Sequence, residues 1–277
     1  MLSTRLGGAT TGILLYSIGV FFFAVNDALG KWLVADYAVA QLLLLRTIGA
    51  SFVLVPLAWM WGVPLMARGQ WPLQIARVVF MAADTFAFYW ATRYLPLADV
   101  MTFYMAAPLI ITALSVPLLG EKVGPWRWGA VLTGFAGVMI ALQPTEAAFS
   151  PAALIALGGA TMFALAIAVT RKLRDTHWLQ LVSWQFAGAG LLGTVTAPFV
   201  GVTPALFDLF LMFLVGLPAM MCFVAITRAL SLTPASVLAP FQYAAIVWAV
   251  ILGWIVWGDV PTPAIVFGNL LIVASGL

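Results

Sequence analysis

The chain carries an internal repeat, because the stretch from Arg93 to Leu142 returns in outline from Arg228 to Leu277. Each copy has an arginine, a proline-bearing turn, an apolar span, an acidic residue in a short polar link, and a second apolar span with spaced glycines. The acidic residue is Glu121 in the first copy and Asp259 in the second. Corresponding residues are separated by about half the chain, which indicates a duplicated unit.

The composition places this unit in a membrane. Of the 277 residues, 64% are hydrophobic and 8% are charged, and the mean hydropathy is +1.11. A soluble domain carries about 25% charged residues, so this chain must expose apolar surface to lipid. The net charge of +3 comes from scattered basic residues and does not favour a nucleic-acid partner. The single cysteine, Cys222, excludes an internal disulfide and a cysteine metal cluster, and no cofactor is predicted.

The apolar segments have the length of transmembrane helices. A helical span needs about 20 mostly apolar residues, and no segment alternates with a period of two as a barrel strand does. The chain therefore predicts an all-α membrane protein with ten transmembrane helices. The predicted spans are 10–33, 38–61, 71–94, 96–118, 125–142, 151–170, 178–200, 204–228, 234–257 and 261–277.

The repeat unit contains five of these spans. A fainter match pairs Lys31–Leu33 with Arg171–Leu173, so the duplication covers the first spans of each half as well. We therefore predict one five-helix repeat over residues 1–142 and a second over residues 143–277. Five is an odd number, so the two repeats must lie in the membrane in opposite orientations.

The basic residues predict how the chain is oriented. Cytoplasmic loops carry an excess of lysine and arginine. With the N-terminus inside, the outer side has only Lys31 and Arg93. The inner side then collects Arg5, Arg68, Arg77, Lys122, Arg127, Arg171, Lys172, Arg174 and Arg228. We expect both termini to be cytoplasmic in a bacterial-type inner membrane.

A motif in the first repeat resembles a known family. A span containing Ala107–Pro108 is followed by Leu119–Glu121 and by three spaced glycines, at positions 129, 134 and 137. This pattern is similar to that of the drug/metabolite transporter superfamily, and the whole chain resembles its ten-span EamA group. Leu45–Arg46 also fits that group. The second repeat departs from the pattern, because Asp259 replaces the glutamate and Ile246 stands where Pro108 would recur.

The resemblance implies a function. It implies an exporter of small metabolites, most often amino acids, and among relatives the chain looks most like bacterial exporters of amino acids, including aromatic ones. A multidrug or toxic-compound efflux carrier of the same superfamily is the alternative. Inverted repeats of this kind permit alternating access around a central site near the membrane midplane.

Asp84 is a candidate substrate-binding residue because of its depth. It lies about ten residues, or roughly 15 Å, from the outer end of the third predicted span. A carboxylate at the membrane centre costs about 2.5–3.5 kcal/mol on insertion scales. Arg77 lies two turns earlier and is a candidate partner through water. The alternative role for Asp84 is a structural tie between helices.

A second polar group occupies the first two spans. Asn26, Asp27 and Arg46 each lie roughly 10 Å below the outer surface if the helices are straight. An ion pair between Asp27 and Arg46 would neutralise both charges. This pair is either a structural staple or, if it faces a cavity, a contact for the carboxylate and ammonium groups of an amino acid.

Two pairs of residues occupy equivalent positions in the repeats. Tyr104 corresponds to Gln242, and Met105 corresponds to Tyr243. Inversion places the pairs symmetrically about the membrane centre. Buried tyrosine and glutamine need polar partners, so we expect these residues to line the cavity, with helix packing as the alternative.

Trp90 and Trp248 lie deeper than the other tryptophans, and they either stack on a flat substrate or pack the core. The spaced glycines permit close helix contact, within one chain or between two, so the sequence leaves a monomer and a homodimer open.

Two other classes of protein are less compatible with the sequence. An intramembrane enzyme needs a catalytic motif, but the single histidine, His177, falls in a loop, and no metal motif or nucleophile elbow is present. A channel needs a repeated filter sequence, and none is found. The chain is therefore not expected to be an enzyme.

Overall fold

The computed structural model describes residues 2–34, 36–65, 69–91, 94–95, 97–143, 150–258, 260 and 262–276. Arg68, Arg93 and Asp259, which entered the orientation and repeat predictions, lie outside these residues, as do the side chains of Arg5 and Lys31. All regular structure in the described ranges is helical, so the prediction of an all-α protein is confirmed.

The helices follow the apolar segments of the sequence. They are α1 (Leu2–Val34), α2 (Val39–Trp61), α3 (Trp71–Ala91), α4 (Leu97–Tyr104), α5 (Ala107–Leu119), α6 (Pro125–Leu142), α7 (Pro151–Lys172), α8 (Trp178–Val200), α9 (Leu206–Leu214), α10 (Gly216–Leu232), α11 (Ala235–Leu238), a 3-10 segment (Ala239–Tyr243), α12 (Ala244–Trp257) and α13 (Pro263–Gly276).

By length and composition, six helical stretches in the described ranges can cross a membrane. They are Ala9–Gly30, Val39–Trp61, Val100–Leu119, Pro151–Lys172, Leu206–Leu232 and Ala235–Val256, and Pro263–Ser275 is a shorter apolar helix.

Turn residues fix several helix ends where the sequence predicts them. Gly62, Gly120 and Gly258 adopt left-handed conformations directly after α2, α5 and α12. Glycine adopts this conformation without a steric penalty and closes the last helical turn. Pro125 begins α6, where its missing N–H is not needed.

Three predicted spans are interrupted within their length. The span 96–118 breaks between α4 and α5, 204–228 breaks at Val215, and 234–257 breaks at the 3-10 segment. A proline follows or occupies each break: Pro108, Pro218 and Pro240. Proline cannot donate the helical hydrogen bond and clashes with the preceding turn, which explains why these helices bend.

Helices of the first half pack mainly on helices of the second half. The most extensive contacts join α1 to α10, α3 to α7, α6 to α13 and α2 to α8. Two of these contacts depend on glycine. A Cβ atom on Gly193 of α8 would lie 2.7 Å from the backbone nitrogen of Leu44 on α2, and one on Gly137 would lie 2.7 Å from the backbone oxygen of Gly268 on α13. Gly137 therefore serves a contact within the chain.

Candidate functional site

Asp84 and Tyr104 meet between α3 and the end of α4. The Tyr104 hydroxyl donates to the backbone oxygen of Asp84 at 2.9 Å, and it also interacts electrostatically with the Asp84 carboxyl group. One carboxyl oxygen of Asp84, Oδ1, is buried and has no hydrogen-bond partner among the described residues. A buried acceptor without a partner is costly, so a ligand donor that reaches this atom when the structure opens would satisfy it.

The position of Tyr104 depends on a glycine that the sequence analysis did not select. A Cβ atom on Gly159 of α7 would lie 2.2 Å from the Tyr104 hydroxyl and 2.8 Å from the Cβ atom of Ala87. Only a residue without a side chain lets α7 approach both groups this closely. The Gly158–Gly159 pair in an apolar helix is the signal that pointed to it.

The polar residues predicted on α1 and α2 are Asn26, Asp27 and Arg46, and the charge of Asp27 interacts with those of Arg46 and Asp84. The Asn26 amide donates to Asp27 at 3.2 Å, and Arg46 interacts electrostatically with Asp27. The negative charge of Asp27 in turn repels that of Asp84. The Asp27 side chain is accessible, whereas Asp84 is partly buried. We call Asp27, Arg46 and Asp84 the charge cluster.

Arg77 is not directed to Asp84. Its side chain is 2% exposed, and its guanidinium donates to the backbone oxygen of Leu181 on α8. The expected water-mediated partnership is therefore replaced by a tie between α3 and α8. Spacing along α3 predicts a shared face but not which neighbouring helix a long side chain reaches.

Gln242 contacts a different helix from the one that Tyr104 contacts. The Tyr16 hydroxyl of α1 donates to the Gln242 side-chain oxygen at 3.4 Å. Tyr104 meets α3 and Gln242 meets α1, so these two corresponding residues each join a different helix.

Met105 and Tyr243 lie in a packed cluster. Their exposed fractions are 7% and 0%, and both belong to a core with Val131 and Ile272. The Tyr243 hydroxyl donates to the backbone oxygen of Val131 at 3.2 Å, while its ring fills the space beside Gly134. In this conformation the two residues join helices and do not line an open space.

The two deep tryptophans have different surroundings. Trp248 packs edge-on against Phe21 with ring centroids 4.9 Å apart. Trp90 is 49% exposed and lies beside Tyr94. The third predicted span extends to residue 94, and the described part of α3 ends at Ala91, so Trp90 lies near the end of this part.

A second polar site was not predicted as a unit. The Glu121 carboxylate, just after α5, accepts hydrogen bonds from the backbone N–H groups of Ala235 and Ser236 at 2.9 and 3.0 Å. It also accepts one from the Ser236 hydroxyl at 2.6 Å. Arg171 of α7 forms an ion pair with it at 3.5 Å.

Arg171 extends this site to α10. Its guanidinium donates to the backbone oxygens of Leu230 and Ser231 at 2.5 and 3.3 Å. The Glu121 cluster, meaning Glu121, Arg171, Ser236 and these backbone groups, therefore joins four elements at one end of the bundle. The glutamate of the sequence motif was the signal, but its partners lie more than 40 residues away along the chain.

Comparison with known proteins agrees with the membrane fold and identifies the class. The model of the EamA-like transporter family matches residues 10–143 and again residues 150–277. A solved crystal structure of a protein superposes with a TM-score of 0.78 at 22% identity, over 99% of this chain and 95% of that chain. This likeness supports the fold.

Curated relatives match over nearly their whole length. A riboflavin transporter of Vibrio cholerae is 30% identical, over 94% of this chain and 89% of that protein. The pseudopaline exporter CntI of Pseudomonas aeruginosa is 27% identical, over 96% and 94%. An S-adenosylmethionine uptake transporter of Rickettsia bellii is 24% identical, over 95% and 93%.

Proposed function

The chain belongs to the EamA-like transporter family, and from that premise we propose that it exports small metabolites of the amino-acid type across a bacterial inner membrane. The family and the relatives are transporters of small molecules, so the chain is a multi-pass membrane transporter and not an enzyme. The direction of transport, the amino-acid class and alternating access are the parts that we propose.

The charge cluster is the observation that carries the substrate class. It combines two carboxyl groups, Asp27 and Asp84, with one guanidinium, Arg46. With all three ionised, the cluster is net negative and favours a cationic group, while Arg46 supplies the complement for a carboxylate. An amino acid carries both groups. The Asp84 Oδ1 atom without a partner is the acceptor that we assign to the ammonium group.

We propose further that the two halves are inverted repeats that alternate around this cluster. The helix contacts support this. Exchanging the two halves turns the α1–α10 contact into the α3–α7 contact, and it turns the α1–α12 contact into the α5–α7 contact. Close approaches follow the same exchange. Gly159 meets Ala87, and the corresponding Gly19 meets Ile226, within 2.8 and 2.7 Å of a built Cβ atom.

The Glu121 cluster supplies a closed end in this proposal. It ties the link after α5 to the start of α11 through three hydrogen bonds and to α7 through the ion pair with Arg171, and both α7 and α11 belong to the other repeat. The distribution of basic residues favours a cytoplasmic position for this end. Access from the cytoplasm then requires the Glu121 cluster to open.

A multidrug or toxic-compound efflux carrier is the second candidate. Relatives that are 24% to 30% identical are named for substrates as different as S-adenosylmethionine, pseudopaline and riboflavin. Family membership therefore leaves the substrate variable, and the Phe21–Trp248 contact supplies two aromatic side chains. Such a carrier would prefer flat apolar compounds over free amino acids.

Counterflow in proteoliposomes tests the proposal. Liposomes containing the purified chain are loaded with one unlabelled amino acid, and uptake of the labelled compound is followed for a panel of amino acids and one cationic dye. We expect saturable exchange for at least one amino acid. Exchange of the dye alone would favour the efflux carrier, and dissipation without saturation would contradict a carrier mechanism.

Asp84→Asn is the site variant for this assay, and Asp175→Asn is its matched control. Asp175 carries the same carboxyl group, but its side chain is 92% exposed in the α7–α8 link. We expect the first change to reduce exchange at equal folded yield and the second to leave it unchanged. Equal exchange by all three proteins would remove Asp84 from the site.

A further inference from the structure

A basic recess opens between the α7–α8 link and the last turns of α10. Its volume is about 230 Å³, and its lining includes Arg174, His177, Trp178, Thr227 and Arg228. It borders the Glu121 cluster and shares Ser231 with it, whose backbone oxygen accepts from Arg171. Neither the repeat nor the charge cluster accounts for it.

Arg174 and Arg228 receive little compensation from Asp175, the carboxylate in the lining of this recess. Arg228 is exposed, and its guanidinium has no hydrogen bond or ion pair with any described residue. Arg174 contacts Asp175 at 3.9 Å, with 54% and 92% of the two side chains exposed. An exposed ion pair of this length contributes little stabilisation, so Arg174 remains available to an anion.

His177 adds a donor to the two guanidinium groups. Its Nδ1 atom accepts a hydrogen bond from the backbone N–H of Leu179 at 3.3 Å, which caps the start of α8. Because Nδ1 is the acceptor, the neutral ring carries its proton on Nε2. The recess therefore combines two guanidinium groups with an imidazole N–H, a set of donors that suits phosphate oxygens.

Aromatic side chains place the recess at the depth of lipid headgroups. Trp61, at the end of α2, is 53% exposed and lies against Trp178 and His177 at centroid distances of 5.7 and 6.5 Å. Tryptophan is enriched where membrane helices meet the headgroup region. A soluble anion requires no such position, so these side chains favour a lipid over a free phosphate.

We propose that this recess binds the phosphate of an anionic phospholipid headgroup. Arg174 and Arg228 bind the phosphate oxygens, His177 donates from Nε2, and Trp178 packs against the glycerol region. Basic residues at the cytoplasmic ends of membrane helices attract anionic lipids in this way. The proposal concerns a lipid site and does not depend on the transported substrate.

Native mass spectrometry of the detergent-purified chain tests this site. Phosphatidylglycerol or phosphatidylcholine is titrated, and the dissociation constant of the first adduct is measured for the wild type and for Arg174→Gln/Arg228→Gln. We expect the wild type to prefer phosphatidylglycerol and the double variant to bind it about thirty-fold more weakly, as two headgroup-level arginines imply. A double variant that keeps the preference would overturn the proposal.

Lys122→Gln is the matched control, because Lys122 is an exposed cation in the link after α5 and does not line the recess. This variant should retain the wild-type preference for phosphatidylglycerol. An equal loss of preference in Lys122→Gln would mean that general surface charge causes the effect, and it would overturn the proposed site. If the double variant does not fold, the exposed Arg228→Gln change alone should weaken binding about five-fold. Inorganic phosphate is titrated in a separate arm, where binding of phosphate without a preference for phosphatidylglycerol would reject the lipid as occupant.

Discussion

Glu121→Gln is predicted to loosen the end of the bundle that holds the Glu121 cluster. Glu121 and Arg171 keep only 9% and 10% of their side chains exposed. Glutamine preserves the shape but removes the negative charge, and its amide nitrogen cannot accept from the N–H groups of Ala235 and Ser236. Arg171 then remains largely buried without its counter-ion.

The size of this effect follows from the burial of the pair. Removing one partner of a buried ion pair costs about 3–5 kcal/mol. Arg171 keeps its hydrogen bonds to the backbone of α10, so we expect a value at the lower end, about 3 kcal/mol. If this loss of free energy destabilises the closed conformation and leaves the open conformation unchanged, the fraction of protein in the open conformation rises about a hundred-fold.

Labelling of an engineered cysteine measures this change. Thr233 is fully buried, and a Cβ atom on Gly12 would lie 1.9 Å from its hydroxyl oxygen, so this position is shielded by α1. In a Cys222→Ala background, Thr233→Cys should react with a water-soluble maleimide up to about a hundred-fold faster when Glu121→Gln is added.

Asp175→Asn serves as the control for this labelling, since its contact with Arg174 is exposed and contributes little to closure. Its labelling rate should equal that of the parent. An unchanged rate in a folded Glu121→Gln protein would refute the role of the Glu121 cluster in closing this end.

Three further predictions concern the charge cluster and its surroundings. Asp84→Asn should lower counterflow or change its dependence on pH at unchanged folded yield. Activity equal to that of the wild type at every pH would count against a role for Asp84 in transport. Tyr104→Phe removes one hydrogen bond of about 1 kcal/mol and should raise KM about five-fold; an unchanged KM would place Tyr104 outside the site. Gly159→Ala should lower the thermal midpoint by overpacking, at a cost of about 1–3 kcal/mol, and Tyr104→Phe should partly restore it because the added Cβ meets the hydroxyl first. A thermal midpoint that is not restored would mean that Ala87, and not the Tyr104 hydroxyl, limits the space for a Cβ atom at position 159.

The sequence predicted the helices well because apolar length is a strong signal. The predicted spans 125–142 and 178–200 coincide with α6 and α8. The breaks were harder to place, since hydropathy does not report where a helix bends, although Pro108, Pro218 and Pro240 lie at them. Proline chemistry, more than composition, determines these interruptions.

The sequence predicted the candidate site residues from their depth in the membrane, but it did not predict the direction of their side chains. Asp84 and Tyr104 were each selected for their depth, and the structure brings them together. Met105 and Tyr243 were selected in the same way, but Gly134 leaves room for the Tyr243 ring between helices, so both pack. The partners of Glu121 could not be predicted, because they depend on how distant helices meet.

Cys222 offers the most direct test of alternating access. It is the single cysteine, it is buried, and its helix, α10, packs on α1 and α2, the helices that carry Asp27 and Arg46 of the charge cluster. Its alkylation by a small water-soluble reagent can be measured in right-side-out and inside-out vesicles. We predict slow modification from both faces and protection by a transported substrate. Modification from one face only, with no effect of any transported substrate, would contradict a site that both sides reach in turn.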